Sequence, residues 1–263
     1  MAKLKDGVAL VTGGGQGMGH GIALRFAREG AKVVVVGRTQ DKIDRTVAEI
    51  RDAGGAAIAC LADVSIEEDT RRMVEAAVSA YGRLDFAANV AGVAHMPNYM
   101  HKLTVKEYED DFAVNARGVF LSMKYQIQQM LENGGGSIVN VTSGSAINGF
   151  AFYSIYSAAK HAAVGLTRAA ALEYADKGIR VNSVAPGAIA TPMLTNNDES
   201  TLAPMRDSIA MKRFGTEEEI AAATVWLCSD ESSYVTGSVL PVEGGYTASC
   251  ITVVSAGVHP VEG

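Results

Sequence analysis

The 263-residue chain predicts a doubly wound α/β domain: a mostly parallel, seven-stranded sheet with helices on both faces. Three observations carry this prediction. Short runs rich in valine and isoleucine alternate from end to end with longer amphipathic stretches, as in parallel sheets whose crossovers are helices. The short runs are nearly continuous in apolarity, as strands covered on both faces must be. Gly30, Gly54, Gly82 and Gly178 stand just beyond amphipathic stretches, where a left-handed residue ends a helix.

In order, the strands fall at residues 8–11, 32–36, 57–61, 84–88, 137–141, 180–184 and 239–242. Between them the 3.6-residue period places helices at 18–28, 40–52, 66–81, 104–131, 153–174 and 217–227. No linker or low-complexity segment divides residues 1–263, so the chain reads as one domain. Residues 191–215 lack a strand and carry Pro192 and Pro204 with several methionines and leucines. A long excursion near a sheet's carboxyl edge reads as a substrate-binding lid.

Composition narrows the partners. The 23 basic and 29 acidic side chains leave a net charge of −6, which gives no basis for a nucleic-acid or anionic-membrane partner. Cys60, Cys228 and Cys250 are scattered, as reduced thiols of a cytosolic protein are. The histidines, His20, His95, His101, His161 and His259, show no metal-ligand spacing, so no metal site is expected. The apolar run at 8–11 is too short for a signal-peptide core, and no segment approaches the roughly 20 residues of a membrane span. The expectation is a soluble, cytoplasmic protein.

The first strand runs into Thr12-Gly13-Gly14-Gly15-Gln16-Gly17-Met18-Gly19 and then a helix. Glycines allow a tight turn and let backbone N–H groups approach a pyrophosphate, while the helix amino end favours negative charge. The second strand ends Val36-Gly37-Arg38-Thr39, without the carboxylate that would bind a ribose 2′-hydroxyl. A guanidinium there can grip a 2′-phosphate, which favours NADP(H) over NAD(H). The alternative is an Arg38 that stacks on adenine or points into solvent.

Tyr156 and Lys160 are four apart and share one helical face. An ammonium ~4–5 Å from a phenol, at an effective dielectric near ~20, supplies roughly 3–4 kcal/mol. That lowers the phenol by about 2–3 pKa units, into working range for an acid/base. The pair alone is common on surface helices. Its company gives it meaning.

In order along the chain stand the glycine turn, Asp63-Val64, Asn89-Val90-Ala91-Gly92, Asn115, Ser143, Tyr156-x-x-x-Lys160 and Asn182-Ser183-Val184-Ala185-Pro186-Gly187. Together they resemble the short-chain dehydrogenase/reductase family in its compact, single-domain form, from about residue 7 to 245. The resemblance implies a Rossmann-type fold and a catalytic set of Asn115, Ser143, Tyr156 and Lys160. Tyr156 would be the acid/base, and Ser143 would hydrogen-bond the substrate oxygen. Lys160 would lower the tyrosine and grip the nicotinamide ribose. Asn115 would hold a water that relays protons from Lys160.

The implied cofactor residues are Gly13, Gln16, Gly17, Met18, Gly19, Arg38, Asp63, Val64, Asn89, Ala91, Gly92, Pro186, Gly187, Ile189 and Thr191, with Tyr156 and Lys160. Ser143, Ser145, Tyr153, Tyr156 and Met193 fall where the family binds substrate. Ala94, His95, Met96, Leu194, Met205 and Met211 flank them. Their apolar, flexible character suits a bulky cyclic or steroid-like alcohol. The reaction implied is hydride transfer between NAD(P)(H) and a secondary alcohol or its ketone. Enoyl reduction or epimerisation, and a non-catalytic dinucleotide sensor, are the alternatives. Relatives with altered chemistry usually rearrange the tyrosine–lysine spacing or lack the serine, and sensors lose the pair; both are present here.

Three departures from the family's pattern are visible. Gln16 stands where many NADP(H)-preferring members carry a basic residue. Asn-Val-Ala-Gly replaces Asn-Asn-Ala-Gly. A C-terminal extension at 248–263 is mildly apolar between Ile251 and Val254. Its readings are a cover for a sheet edge, a contact with a neighbouring subunit, or a disordered end. The resemblance also implies a homotetramer or homodimer formed through the helices at 104–131 and 153–174. Ala158, Ala159, Ala162, Ala163 and Gly165 would permit close helix approach there, and equally suit packing within one subunit.

Overall fold

The computed structural model describes residues 3–248, so 249–263 lie outside it, as does the side chain of Met193. Seven strands form a single sheet: β1 (Val8–Thr12), β2 (Lys32–Gly37), β3 (Ala57–Leu61), β4 (Phe86–Asn89), β5 (Gly136–Val141), β6 (Ile179–Pro186) and β7 (Val239–Val242). Their order is β3-β2-β1-β4-β5-β6-β7, with every pair parallel.

On one face lie α1 (Gly17–Arg28), α2 (Gln40–Asp52) and α9 (Glu217–Cys228). On the other lie α3 (Glu67–Tyr81), α5 (Gly118–Asn133) and α6 (Ser154–Tyr174). Strand alternation feeds both layers. In β1, Ala9 and Val11 pack with Ile22, Phe26 and Ile220, while Val8 and Leu10 pack with Met73 and Met130. A two-residue period with both faces buried gives the continuous apolar runs seen in the sequence.

The chain reverses its direction of sheet growth between β1 and β4. A crevice therefore opens at their carboxyl ends, where such sheets hold their ligands. Register puts Thr12 level with Val36 on one side and with Asn89 on the other, and Asn89 level with Asn140. Gly30, Gly54, Gly82 and Gly178 have φ of +90°, +82°, +81° and +76°, the left-handed conformation expected of helix-terminating glycines.

The helix predicted at 104–131 runs unbroken from 105 to 133, in three segments. They are α4 (Val105–Phe112), a π turn (Ala113–Arg117) and α5. The segment at 191–215 folds into α7 (Pro192–Thr195) and α8 (Glu199–Ser208). At its ends an isolated parallel bridge joins Ile189 to Gly215.

Candidate active site

The glycine turn is built for close approach. Gly13 and Gly17 have φ of +68° and +58°, and a Cβ on Gly19 would lie 2.1 Å from the Gly13 carbonyl oxygen. The Gly14 N–H donates to the Val36 carbonyl at 2.9 Å, and the Thr12 hydroxyl accepts from the N–H groups of Val90 and Ala91 at 3.0 and 3.2 Å. These bonds clamp the turn to β2 and to the loop after β4. No side chain caps α1, and its first residues Gly17, Met18 and Gly19 line a groove. The first N–H groups of α1 thus face it, and an anion there would meet them directly.

That groove, of about 260 Å³, is lined by Gly13, Gln16, Gly17, Met18, Gly19, Arg38, Asp63, Val64, Ala91, Gly92 and Thr191 from the expected set. Lys42, in the first turn of α2, also lines it and hydrogen-bonds the Gln16 side chain. Lys42 lies outside the set that the sequence predicts. A lysine four residues past Arg38 at a helix start was its only signal.

Asn89, Pro186, Gly187 and Ile189, also expected at the cofactor, do not line that groove. Asn89 turns into the interior, where its Nδ2 donates to Gln126 and Asn140 at 3.0 and 2.9 Å, so it ties strands together. Pro186 ends β6, the Gly187 N–H donates to Val242 at 3.1 Å, and Ile189 is buried in the core. β2 ends without a carboxylate, but β3 delivers one: Asp63 sits 3.5 Å from Arg38, whose side chain is 62% exposed. Burial works to raise the Asp63 carboxyl. The Ser65 hydrogen bonds and the Arg38 charge overcome it and hold the group below its ordinary value.

Beyond the carboxyl ends of β4 and β5, α6 brings Tyr156 and Lys160 to the turn that holds Ser143. Lys160 is 4% exposed, donates to the Val141 carbonyl at 3.2 Å, and has its Nζ 5.6 Å from the centre of the Tyr156 ring. Burial holds Lys160 down at about 8, opposed by the negative charge of Asp111. Burial likewise pushes Tyr156 up to about 12; the Ser143 hydroxyl opposes this, and Asp111 and Tyr153 add to it. The lowered phenol expected from Coulomb's law alone is thus not what the chain by itself produces. Burial is the largest cause, and it outweighs the Ser143 hydrogen bond that opposes it.

Asn115 lies in the π turn, fully buried. Its Nδ2 donates to the Val93 carbonyl at 2.7 Å and to Asp111 at 2.6 Å, and its Oδ1 accepts from the Val93 N–H at 3.3 Å. A Cβ on Gly92 would lie 3.0 Å from that oxygen and 3.3 Å from Lys160 Nζ, so both groups border one small space.

On the substrate side, Tyr153 stands 6.5 Å from Tyr156 and 5.9 Å from His95, ring centre to ring centre. Ser145 is buried, with no partner for its hydroxyl among the described residues. Met96, Met205 and Met211 are exposed. Among the described residues no cluster of three His, Cys, Asp or Glu is placed to hold a metal, and no helix is long and apolar enough to cross a membrane.

Residues 13–247 match the family model described as Enoyl-(Acyl carrier protein) reductase. The chain is 42% identical over 246 residues to a cyclohexanol dehydrogenase of Acinetobacter sp. (strain SE19), covering 94% of this chain and 97% of that one. A solved levodione reductase superposes with a TM-score of 0.90 at 36% identity, covering 94% of this chain and 99% of its own. A structure from Beutenbergia cavernae, proposed to be an NAD(P)-dependent gluconate 5-dehydrogenase and solved with NADP at low occupancy, gives 0.88 at 35% identity, with the same coverages. The chain belongs to the short-chain dehydrogenase/reductase family.

Proposed function

We propose that this chain transfers a hydride between NADP(H) and a cyclic secondary alcohol or its ketone, with Tyr156 as the acid/base. The observation that carries the reading is the arrangement of the Tyr156 phenol, the Ser143 hydroxyl and the Lys160 ammonium beside the glycine-lined groove. The uncapped start of α1 and the absence of room for side chains at Gly13 and Gly19 fit a pyrophosphate. Gly13, Gly17, Gly19, Ala91, Gly92 and Thr191 would hold the dinucleotide, and Arg38 with Lys42 would hold its 2′-phosphate. When bound, the nicotinamide supplies the carbon that accepts or gives the hydride.

The chain's own residues manage the proton. In alcohol oxidation Ser143 orients the substrate oxygen, and Tyr156 removes the hydroxyl proton as the carbonyl forms. In ketone reduction Tyr156 returns that proton to the oxygen. Lys160 stabilises the phenolate, and Asn115 presents an oxygen beside Lys160 for a relaying water. Cyclohexanol, which names the Acinetobacter relative, is a cyclic secondary alcohol, and this supports a ring compound as substrate. The free, buried thiols of Cys60 and Cys228 support a reducing, cytoplasmic location. The exposed apolar side chains Phe120, Leu131 and Leu172 support a contact between copies of the chain, as in the homotetramer that the family resemblance implies.

A second reading, enoyl reduction, is favoured by the description of the matching family model. Cyclic alcohols and ketones, and an enoyl thioester, assayed with NADP(H) and NAD(H) at the nicotinamide absorbance band, separate the two. Turnover of the alcohols, abolished in Tyr156→Phe, is the expected result. Activity confined to the enoyl thioester would refute the reading.

A further inference from the structure

The reaction above leaves Asp111 without a role, yet its side chain is 2% exposed and ionisable. A buried carboxylate must be paired or hydrogen-bonded. Its Oδ1 accepts from Asn115 Nδ2 at 2.6 Å. Its Oδ2 lies 3.3 Å from Nδ1 of His95, whose own side chain is 3% exposed. An ionised carboxylate only accepts, so the His95 proton sits on Nδ1 and Asn115 must present its amino group. The Val93 carbonyl makes the same demand on Nδ2, and the Val93 N–H completes it by claiming Oδ1. The amide has one orientation, with its oxygen toward Gly92 and the space beside Lys160.

The charge of Asp111 also acts through space. It opposes the downward push of burial on Lys160, and it adds to the upward push on Tyr156. The groups facing it are His95 from the loop after β4, Asn115 from the π turn, and Tyr156 and Lys160 from α6. Glu107, one turn back on α4, interacts with the same His95.

We infer that Asp111, anchored by His95, is a positioning residue for the proton transfer: together with Val93 it holds the Asn115 amide oxygen toward the space beside Lys160. The inference rests on the Tyr156–Lys160 reaction proposed above. It extends that reaction to two residues, at 95 and 111, that do not line the cofactor groove.

The test is the pH profile of kcat for alcohol oxidation in the wild type and in Asp111→Asn. With the ammonium at about 8 and the phenol at about 12, the acid limb follows Lys160 and the alkaline limb follows Tyr156. Asp111 raises both groups, so its neutralisation moves both limbs to lower pH, by about one unit or more for the loss of a buried charge. KM for substrate and cofactor stays near wild type. Asp111→Glu, which retains the charge, keeps the limbs in place. If Asp111→Asn does not fold, Asp111→Ser carries the same expectation, with water filling the space. A profile that drops in height without moving assigns Asp111 a structural role and overturns the inference. Tyr156→Phe, run alongside, separates the failures. Turnover surviving in that variant removes the proposed reaction, whereas its loss beside an unmoved Asp111→Asn profile removes this inference alone.

Discussion

Tyr156 and Lys160 are pushed apart by the same cause: burial raises the phenol to about 12 and depresses the ammonium to about 8. The site therefore costs stability. Lys160 holds its proton less tightly in the fold than its ordinary value of 10.5 would give, so folding gains stability as pH rises from about 8 toward 10.5. Tyr156 has the opposite sign. Its contribution is complete below its ordinary 10 and is lost as pH climbs to about 12. Lys160→Met should accordingly abolish turnover while raising the unfolding free energy at pH 7 by about 2 kcal/mol, measured by urea denaturation. A destabilised Lys160→Met would mean that the bond to Val141 outweighs the desolvation of the charge. Arg38 belongs to the same scale. Replacing it with Leu should weaken NADP(H) by roughly tenfold or more and NAD(H) little, by titration of nicotinamide fluorescence. Equal losses would assign Arg38 to Asp63 instead of a 2′-phosphate.

The decisive elements are the turn into α1 and the π turn between α4 and α5. Gly19→Ala forces a methyl against the Gly13 carbonyl, a backbone atom that cannot swing aside. The expected result is a cofactor affinity at least roughly tenfold weaker, with a lowered Tm, since strained turns of this kind cost ~1–3 kcal/mol. Unchanged binding by calorimetry would mean that the turn relaxes freely. That turn was legible because its glycines and its strand-to-helix context are local. The π turn was not. Its register shift is stabilised by Val93, a residue 22 positions away, and periodicity within 104–131 carries no trace of that contact.

At the scale of the whole molecule, two apolar layers fix the sheet, while apolar surface remains outside. Leu172 on α6 is 85% exposed, and Phe120 and Leu131 on α5 are also open to solvent. The homotetramer proposed above would cover side chains of this size. Light scattering should give about four times the 27.5 kDa chain mass. Leu172→Glu should shift that mass downward if this face is used, and an unaltered tetramer would place the interface elsewhere.

Strand and helix order, the phosphate turn, and the tyrosine–lysine–serine set followed from the sequence, because period, glycine spacing and motif order are properties of neighbouring residues. The tertiary structure decided what depends on which segments cover which groups. It set the Arg38–Asp63 pair, turned Asn89 inward, and packed His95, Asp111 and Asn115 beside Lys160. It also reversed the expected direction of the tyrosine shift. Spacing places a charge near a phenol, but burial determines how much water both have lost.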